Sequence, residues 1–499
     1  MGSITKFTLN DSSLLRDAAY INGEWTKAST GQTFTVIDPS DGEIIATLPD
    51  LSVEDATRAI EHAGSAFKTF KKTTARERAR LLRKWGELML ANIDDLAAIM
   101  TWENGKAIAD SRGEITFAAT FFEWYAGEAE RTYGETIPSA NPNVRILTIK
   151  QPIGVVAAMV PWNFPAAMVS RKVGAAIAAG CTVLVKPAAE TPLTSLALSV
   201  LAERAGIPPG VFNVVLCGND SLPRIGKLLC ESSGVKKVSF TGSTRVGKIL
   251  MSQSASSLKK LSLELGGNSP FIIFDDADIA KAVEALMVAK VRNSGQTCVC
   301  ANRIYVQEGA YDQVATLLVK EMQKLKVGAG FESGVSIGPL MHEASVKKAT
   351  GHIKDALSKG AGLLLGGNAS GGASGKGFFF EPTVLGDMNS EMLTNSEEVF
   401  APVASLFKFK TEEEVVALAN EAEVGLGSYV CTSDIARMWR VAEELEVGLV
   451  AVNGGLLAAV ESPFGGVKWS GFGKEGGKYG IEDYLVVKSI MIAVPQSAS

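Results

Sequence analysis

Histidine is the scarcest reactive residue here. Only His62, His342 and His352 occur in 499 residues. None stands near a cysteine or carboxylate cluster at metal-ligand spacing, so no zinc site is expected. Acid–base chemistry would then fall to a carboxylate. Cysteine is sparse too, with six scattered residues. That is no disulfide framework and fits a reducing compartment. Cys181, Cys217, Cys230 and Cys431 lie in apolar or strand-like surroundings and read as core residues. Long hydrophobic runs are missing. Stretches such as 173–185 fall short of the roughly 18 residues that a membrane span needs. Residues 1–11 show neither a signal-peptide apolar core nor an arginine-rich amphipathic pattern, and the final Ser-Ala-Ser is not a peroxisomal address. A cytoplasmic protein with no membrane partner is expected. There is no basic block, and the formal net charge is −5, so nucleic acid is not expected as a partner.

What is present fits a globular α/β chain. Hydrophobic residues make up 46% and charged residues 21%, which argues against disorder. The length far exceeds the roughly 250 residues at which a single core stops growing, so two or more domains are expected. Residues 20–49 read as short strands with hairpin signals at Asn22-Gly23 and Ser40-Asp41-Gly42. Apolar spacing of three and four predicts helices over 53–70, 75–91 and 93–103, with Asp50 and Ser52 as candidate N-caps. From 152 to 265, buried strands alternate with helices, the pattern of a doubly wound parallel sheet. A second α/β unit follows, with a strand at 271–274 and a helix running to 291, capped by Asp275, Asp276 or Asp278. The Gly/Ser/Ala tract 366–377 reads as loop. The alternating stretch 144–151 and the apolar stretch 484–494 could pair as an arm.

Four stretches could carry chemistry. The first is Arg292-Asn-Ser-Gly-Gln-Thr-Cys298-Val-Cys300-Ala-Asn-Arg303. A structural cysteine is the plainer reading for any one thiol, but Gly295, Gln296 and Thr297 make a poor core segment. Arg292 and Arg303 bracket the loop and could favour a thiolate. The second is Gly242-Ser243-Thr-Arg-Val-Gly247-Lys248, between a strand and a helix, where backbone N–H groups could hold a pyrophosphate. It is most of a P-loop, but Ile249 replaces the Ser/Thr that would bind magnesium, which disfavours a kinase. The third is Leu263-Glu264-Leu265-Gly266-Gly267, one carboxylate among apolar residues, a setting that suits a general base, although a capping Glu is the plainer reading. The fourth is Pro161-Trp162-Asn163-Phe164-Pro165. Two prolines stiffen it, so the Asn163 amide is held in place and could stabilise an oxyanion.

Gly-Gln-Thr-Cys-Val-Cys resembles the nucleophile loop of the aldehyde dehydrogenase superfamily. With Ala-Asn-Arg following, it is most similar to the succinate-semialdehyde dehydrogenases. Phe240 to Gly247, the Asn163 pentapeptide, Glu397-Glu398-Val399-Phe400, and Pro463-Phe464-Gly465-Gly466-Val467-Lys468 through Tyr479-Gly480 match motifs of the same family. The resemblance implies Cys298 as nucleophile, Glu264 as general base and Asn163 in the oxyanion hole. It places the phosphates and nicotinamide against Trp162, Gly242, Ser243, Gly247 and Leu265, with Gly226 nearby. Glu398 and Phe400 would hold the nicotinamide ribose, and Lys186 the adenosine ribose. Where NAD-preferring relatives carry a ribose-chelating Glu, this chain has Ala189, with Glu190 shifted by one. NADP is therefore expected to be accepted and preferred over NAD.

The implied architecture is a cofactor-binding domain at 1–137 and 157–265, a catalytic domain at 266–478, and a β oligomerisation arm at 138–156 and 479–499, in a homodimer or homotetramer. The implied reaction oxidises a small aldehyde to a carboxylate through a thiohemiacetal and a thioester. Arg171 and Arg292 match arginines that grip a substrate carboxylate, pointing to succinate semialdehyde. Ala458-Ala459 stand where that group usually has serine, and Asn453-Gly454-Gly455 replaces Asn-Glu-Gly. A longer or bulkier ω-oxo acid, or a neutral aldehyde, is therefore the alternative. A thiolesterase or a structural member of the superfamily is the remote one. Cys300, two positions from the nucleophile, is a candidate for a reversible disulfide with Cys298.

Overall fold

The computed structural model describes residues 6–494. The expected terminal features at 1–5 and 495–499 lie outside these residues. In the first sheet the strands Phe212–Val214, Thr182–Lys186, Val155–Met159, Val235–Thr241 and Lys260–Glu264 lie side by side in that order, all parallel. The chain starts at Val155–Met159, builds to one side, then returns and builds to the other. The reversal falls between Val155–Met159 and Val235–Thr241, and the crevice beyond their carboxyl ends is where such sheets take ligands. Every residue of Val155–Met159 and Thr182–Lys186 is buried, because helices cover both faces. The helix Pro165–Ala179 follows the first strand. Pro165 opens it where a missing N–H costs nothing, and Gly180 ends it in the left-handed conformation at φ 94°.

A second sheet orders Gly362–Leu365, Thr383–Met388, Val403–Phe409, Arg303–Gln307, Pro270–Ile273, Gly427–Cys431 and Leu449–Val452. Only its Gly362–Leu365 edge is antiparallel. One apolar core spans Leu14 to Leu265 and takes in Ile481, Tyr484 and Leu485. Two others draw only on the chain from Phe271 to Phe464. The chain passes from one core to the other at 266–270, directly after Glu264.

Both hairpin signals close hairpins: Ile21 faces Glu24 across Asn22-Gly23, and Thr33–Ile37 pairs with Ile44–Pro49. The helix Val53–Phe70 is capped by Ser52, whose hydroxyl accepts from Asp55 N while the Asp55 carboxylate accepts from Ser52 N. Asp50 caps nothing here; it accepts from Gly218 N at 3.0 Å and so ties the helical layer to the sheet. Of the three candidate aspartates, Asp278 caps Ile279–Val291, while Asp276 pairs with Arg437 at 2.9 Å. The 366–377 tract is not wholly loop, since Ala369–Ser370 pairs with Phe379–Phe380. Leu485–Ala493 pairs along its full length with Val144–Pro152. It is an edge strand with Val487 and Met491 about two-thirds exposed, at 67% and 69%. Among the described residues no helix is long and apolar enough to cross a membrane.

Candidate active site

Asn293, Ser294 and Gly295 all take positive φ, at 51°, 56° and 75°. They turn the chain sharply out of the helix Ile279–Val291 and into the loop that carries Cys298. Left-handed backbone at two non-glycine residues is costly, so the loop must be held from outside. Ser294 donates to Gly338 O at 3.0 Å, and Gln296 Oε1 accepts from Met341 N at 2.9 Å. Gly295 has no room for a side chain, because a Cβ there would meet Ala401 O at 2.4 Å.

Cys298 Sγ donates to Glu264 Oε1 at 3.1 Å. Two residues 34 positions apart thus meet at the junction between the two cores. Burial, and then the Glu264 charge, hold the Cys298 thiol well above the ordinary thiol range, with Arg171 pulling the other way. The bracketing arginines do not make a thiolate here. Arg303 is buried and spends itself on Asn268 O, Leu418 O and Ala419 O at 3.0, 2.9 and 2.9 Å. Arg292 stacks over Phe164, 5.1 Å from the ring centroid, and makes no ion pair among the described residues. Cys298 therefore rests as a thiol donating to Glu264.

Glu264 is neither a surface nor an isolated carboxylate, being 3% exposed. Its Oε2 accepts from Thr241 Oγ1 at 3.0 Å and pairs with the Arg171 guanidinium. Arg171 Nε also lies 2.6 Å from Glu475 Oε2, and Lys172 pairs with the other Glu475 oxygen. Burial opposes the charge of Arg171, but the two carboxylates hold its pKa above that of an ordinary arginine. Burial likewise opposes the charge of Glu475, and Lys172 and Arg171 overcome it. The buried row Glu264, Arg171, Glu475, Lys172 thus alternates in sign. Arg171, assigned to the substrate, is occupied by protein carboxylates in this state.

Asn163 is fixed from both ends. Its backbone oxygen accepts from Lys106 Nζ at 2.7 Å and from Asn293 Nδ2 at 2.9 Å. Its Nδ2 donates to Gln296 O at 3.0 Å, leaving the second N–H of that amide for another acceptor. Lys106 is itself buried and pairs with Glu114 at 2.6 Å, while Glu114 accepts from Ala166 N and Ala167 N at 2.9 and 3.2 Å. Lys106, Glu114, Lys172, Thr241 and Glu475 were all missed from the sequence. Only Arg171-Lys172 gave a signal, since two charges inside an apolar helix require buried partners.

A cavity of about 280 Å³ opens at the sheet reversal. Trp162, Asn163, Gly242, Ser243, Leu265, Cys298, Glu398 and Phe400 line it, all expected from the sequence, together with Thr241, Ser345 and Lys348, which were not. Ser243 caps the helix Thr244–Ser254, whose N-terminus suits a phosphate. The Glu398 carboxyl is pushed up to about 8 by burial. Phe400 itself takes the left-handed turn at φ 59°. Gly247 lies behind Leu265, whose Cδ2 would be 2.4 Å from a Cβ there. Lys186, Ala189 and Gly226 stand outside the lining: Lys186 ends the neighbouring strand, Ala189 follows it, and Gly226 sits on the helix Leu222–Glu231. Gly266 faces Glu398 Oε2, whereas Gly267 packs on Cys298 O, so only the first glycine is free to approach a ligand. Lys248 Nζ sits 3.3 Å from the centroid of the Trp469 ring, not in the attitude of a P-loop lysine. Cys300 Sγ turns to Lys290 O at 3.6 Å. Ala458 packs against the second core.

A profile of the aldehyde dehydrogenase family matches residues 25–490. The chain belongs to the aldehyde dehydrogenase family. It is 53% identical to the glutarate-semialdehyde dehydrogenase of Pseudomonas putida over 97% of this chain and 100% of that one. It is also 53% identical to succinate-semialdehyde dehydrogenase [NADP(+)] 1 of Schizosaccharomyces pombe, over 95% of each chain. The crystal structure of succinate-semialdehyde dehydrogenase from Burkholderia pseudomallei superposes with a TM-score of 0.95 at 52% identity, covering 98% of this chain and 100% of that one. The α/β fold expected from the sequence is thus that of this aldehyde dehydrogenase family.

Proposed function

We propose that this aldehyde dehydrogenase oxidises the aldehyde of a short ω-oxo acid to a carboxylate with NADP, with succinate semialdehyde as the substrate. The observation that carries the reading is that Cys298 and Asn163 line one cavity at the sheet reversal, with Glu264 on the Cys298 sulfur at 3.1 Å. The residues fit a nicotinamide nucleotide. The first turn of the capped helix Thr244–Ser254 offers N–H groups to phosphates, and Glu398 faces the same space. Bound there, the nicotinamide supplies a hydride acceptor.

The protein's own part runs as follows. Glu264 takes the Sγ proton while the sulfur forms a bond to the carbonyl carbon. The free N–H of Asn163 Nδ2 and the Cys298 N–H stabilise the alkoxide. Loss of hydride from that carbon leaves a thioester on Cys298. Glu264 passes that proton to solvent and then draws one from the water that adds to the thioester carbon; the C–S bond breaks, the acid is released, and the departing thiolate takes the proton back from Glu264. Arg292, stacked on Phe164, and Arg171 supply the charge for the distal carboxylate. Ala189 leaves the adenosine ribose side without the chelating carboxylate, and Glu190 is turned toward His342 at 3.7 Å, which supports NADP.

A second reading is the next longer ω-oxo acid. Ala458 and Ala459 widen the acid end and remove one hydrogen bond, worth about 1.5–3 kcal/mol. The exposed Leu485–Ala493 edge supports assembly into a homodimer or homotetramer. The experiment is a panel of succinate semialdehyde, its longer homologues and neutral aldehydes with NADP and NAD, read by absorbance of the reduced nicotinamide. Highest kcat/KM for succinate semialdehyde with NADP is expected. Equal values for a neutral aldehyde, or preference for NAD, would overturn the respective part.

A further inference from the structure

Resting on this proposed function, a question of order arises at Arg171. The same Glu264 carboxylate receives the Cys298 thiol on Oε1 and the Arg171 guanidinium on Oε2. Arg171 is 3% exposed, also meets Glu475, and lies over the Phe464 ring at 4.6 Å from its centroid. Its face toward Glu264 is therefore already used, and a substrate carboxylate must compete for it.

We propose that Arg171 couples recognition of the substrate's acid group to activation of the nucleophile: a carboxylate that draws Arg171 away from Glu264 leaves Glu264 to take the Cys298 proton. While Arg171 is in place, the negative charge is better placed on Glu264 than on sulfur, since the guanidinium touches the carboxylate directly. When the guanidinium turns to an incoming carboxylate, Glu264 becomes a desolvated carboxylate without its cation, and such a group gains by protonation. Among the described residues, the only donor on its other oxygen is Cys298. The S–H bond breaks, an O–H bond forms on Oε1, and the charge of the pair is unchanged; it moves from oxygen to sulfur. The groups facing the pair are Thr241, Glu475 and Lys172. Lys172 and Ser239 continue to hold Glu475 when Arg171 turns. The acid group thus serves as a trigger as well as a handle, and an aldehyde without one meets a thiol.

The test is alkylation of Cys298 by iodoacetamide at neutral pH, followed by mass spectrometry of the whole protein and of the Cys298 peptide. Only the thiolate reacts. In the unaltered enzyme, acetate at constant ionic strength should accelerate labelling several-fold and saturably, with chloride inactive. Arg171→Gln should label several-fold faster than the unaltered enzyme without acetate and should not respond to it. Acetate that slows labelling or leaves it unchanged, or Arg171→Gln labelling that is slower, would overturn the coupling; the second result would mean that Arg171 mainly stabilises the thiolate. Should Arg171→Gln fail to fold, the acetate response decides alone. The outcome is separable from the substrate reading: an acetate response with no preference for ω-oxo acids sinks that reading and keeps the coupling.

Discussion

Glu264 divides its two oxygens between Cys298 and Arg171, with Sγ 3.1 Å from Oε1. Glu264, the proposed base, is also a charge that keeps the Cys298 thiol protonated, because it is the second cause, after burial, of the raised Cys298 pKa.

Glu264→Gln should therefore split two properties. Removing the negative neighbour lowers the Cys298 pKa, so alkylation by iodoacetamide at neutral pH should become faster. Steady-state turnover should fall about 10²–10⁴-fold for want of a base. The two rates, measured on the same preparation, check this. Slower alkylation would contradict the assigned source of the shift.

Glu398 carries a pH dependence of its own. Its carboxyl is pushed up to about 8 by burial, so below that pH it is protonated and above it is a charged acceptor. Ribose hydroxyls donate better to the charged form. NADP affinity should tighten as pH rises through 8, and Glu398→Gln should flatten the profile. Quenching of protein fluorescence at pH values either side of 8 measures it.

Lys106 and Glu114 hold Asn163 from behind. Lys106→Met leaves a buried carboxylate unpaired, which should cost roughly 3–5 kcal/mol of stability and lower kcat more than it raises KM. Lys106→Arg should recover part of both. Thermal melting with steady-state kinetics tests the pair. A stable variant with normal kcat would remove Lys106 from the positioning of Asn163.

Oxidative silencing through a Cys298–Cys300 disulfide requires Cys300 Sγ to leave the Lys290 carbonyl, and both thiols are free in this state. Peroxide should inactivate the enzyme reversibly with thiol reductant, and Cys300→Ser should make the loss irreversible. Reversible inactivation that survives Cys300→Ser contradicts the switch.

The sequence disclosed local structure well and partnerships poorly. Asn22-Gly23 and the helix 53–70 were legible because turn chemistry and spacing are written in adjacent residues. Asp50 against Ser52 was not, since both are good caps and only the sheet contact through Gly218 N separates them. Arg303 looked like a charge beside the nucleophile, yet one residue's direction in a strand turned it to Leu418 and Ala419. Cys298, Glu264 and Asn163 were legible through resemblance to a family. Glu475 reaches Arg171 from some three hundred residues downstream, and no spacing rule links them.

The most direct measurement is mass spectrometry of Glu264→Gln mixed with NADP and succinate semialdehyde, where Cys298, relieved of the Glu264 charge, gives its proton to solvent and hydride loss proceeds, while hydrolysis, which needs a base for the water, does not. The account predicts an acyl adduct on Cys298, formed with about one equivalent of reduced nicotinamide per active site. Reduced nicotinamide produced with the adduct elsewhere, or with Cys298 unmodified and Cys298→Ser still active, would contradict it.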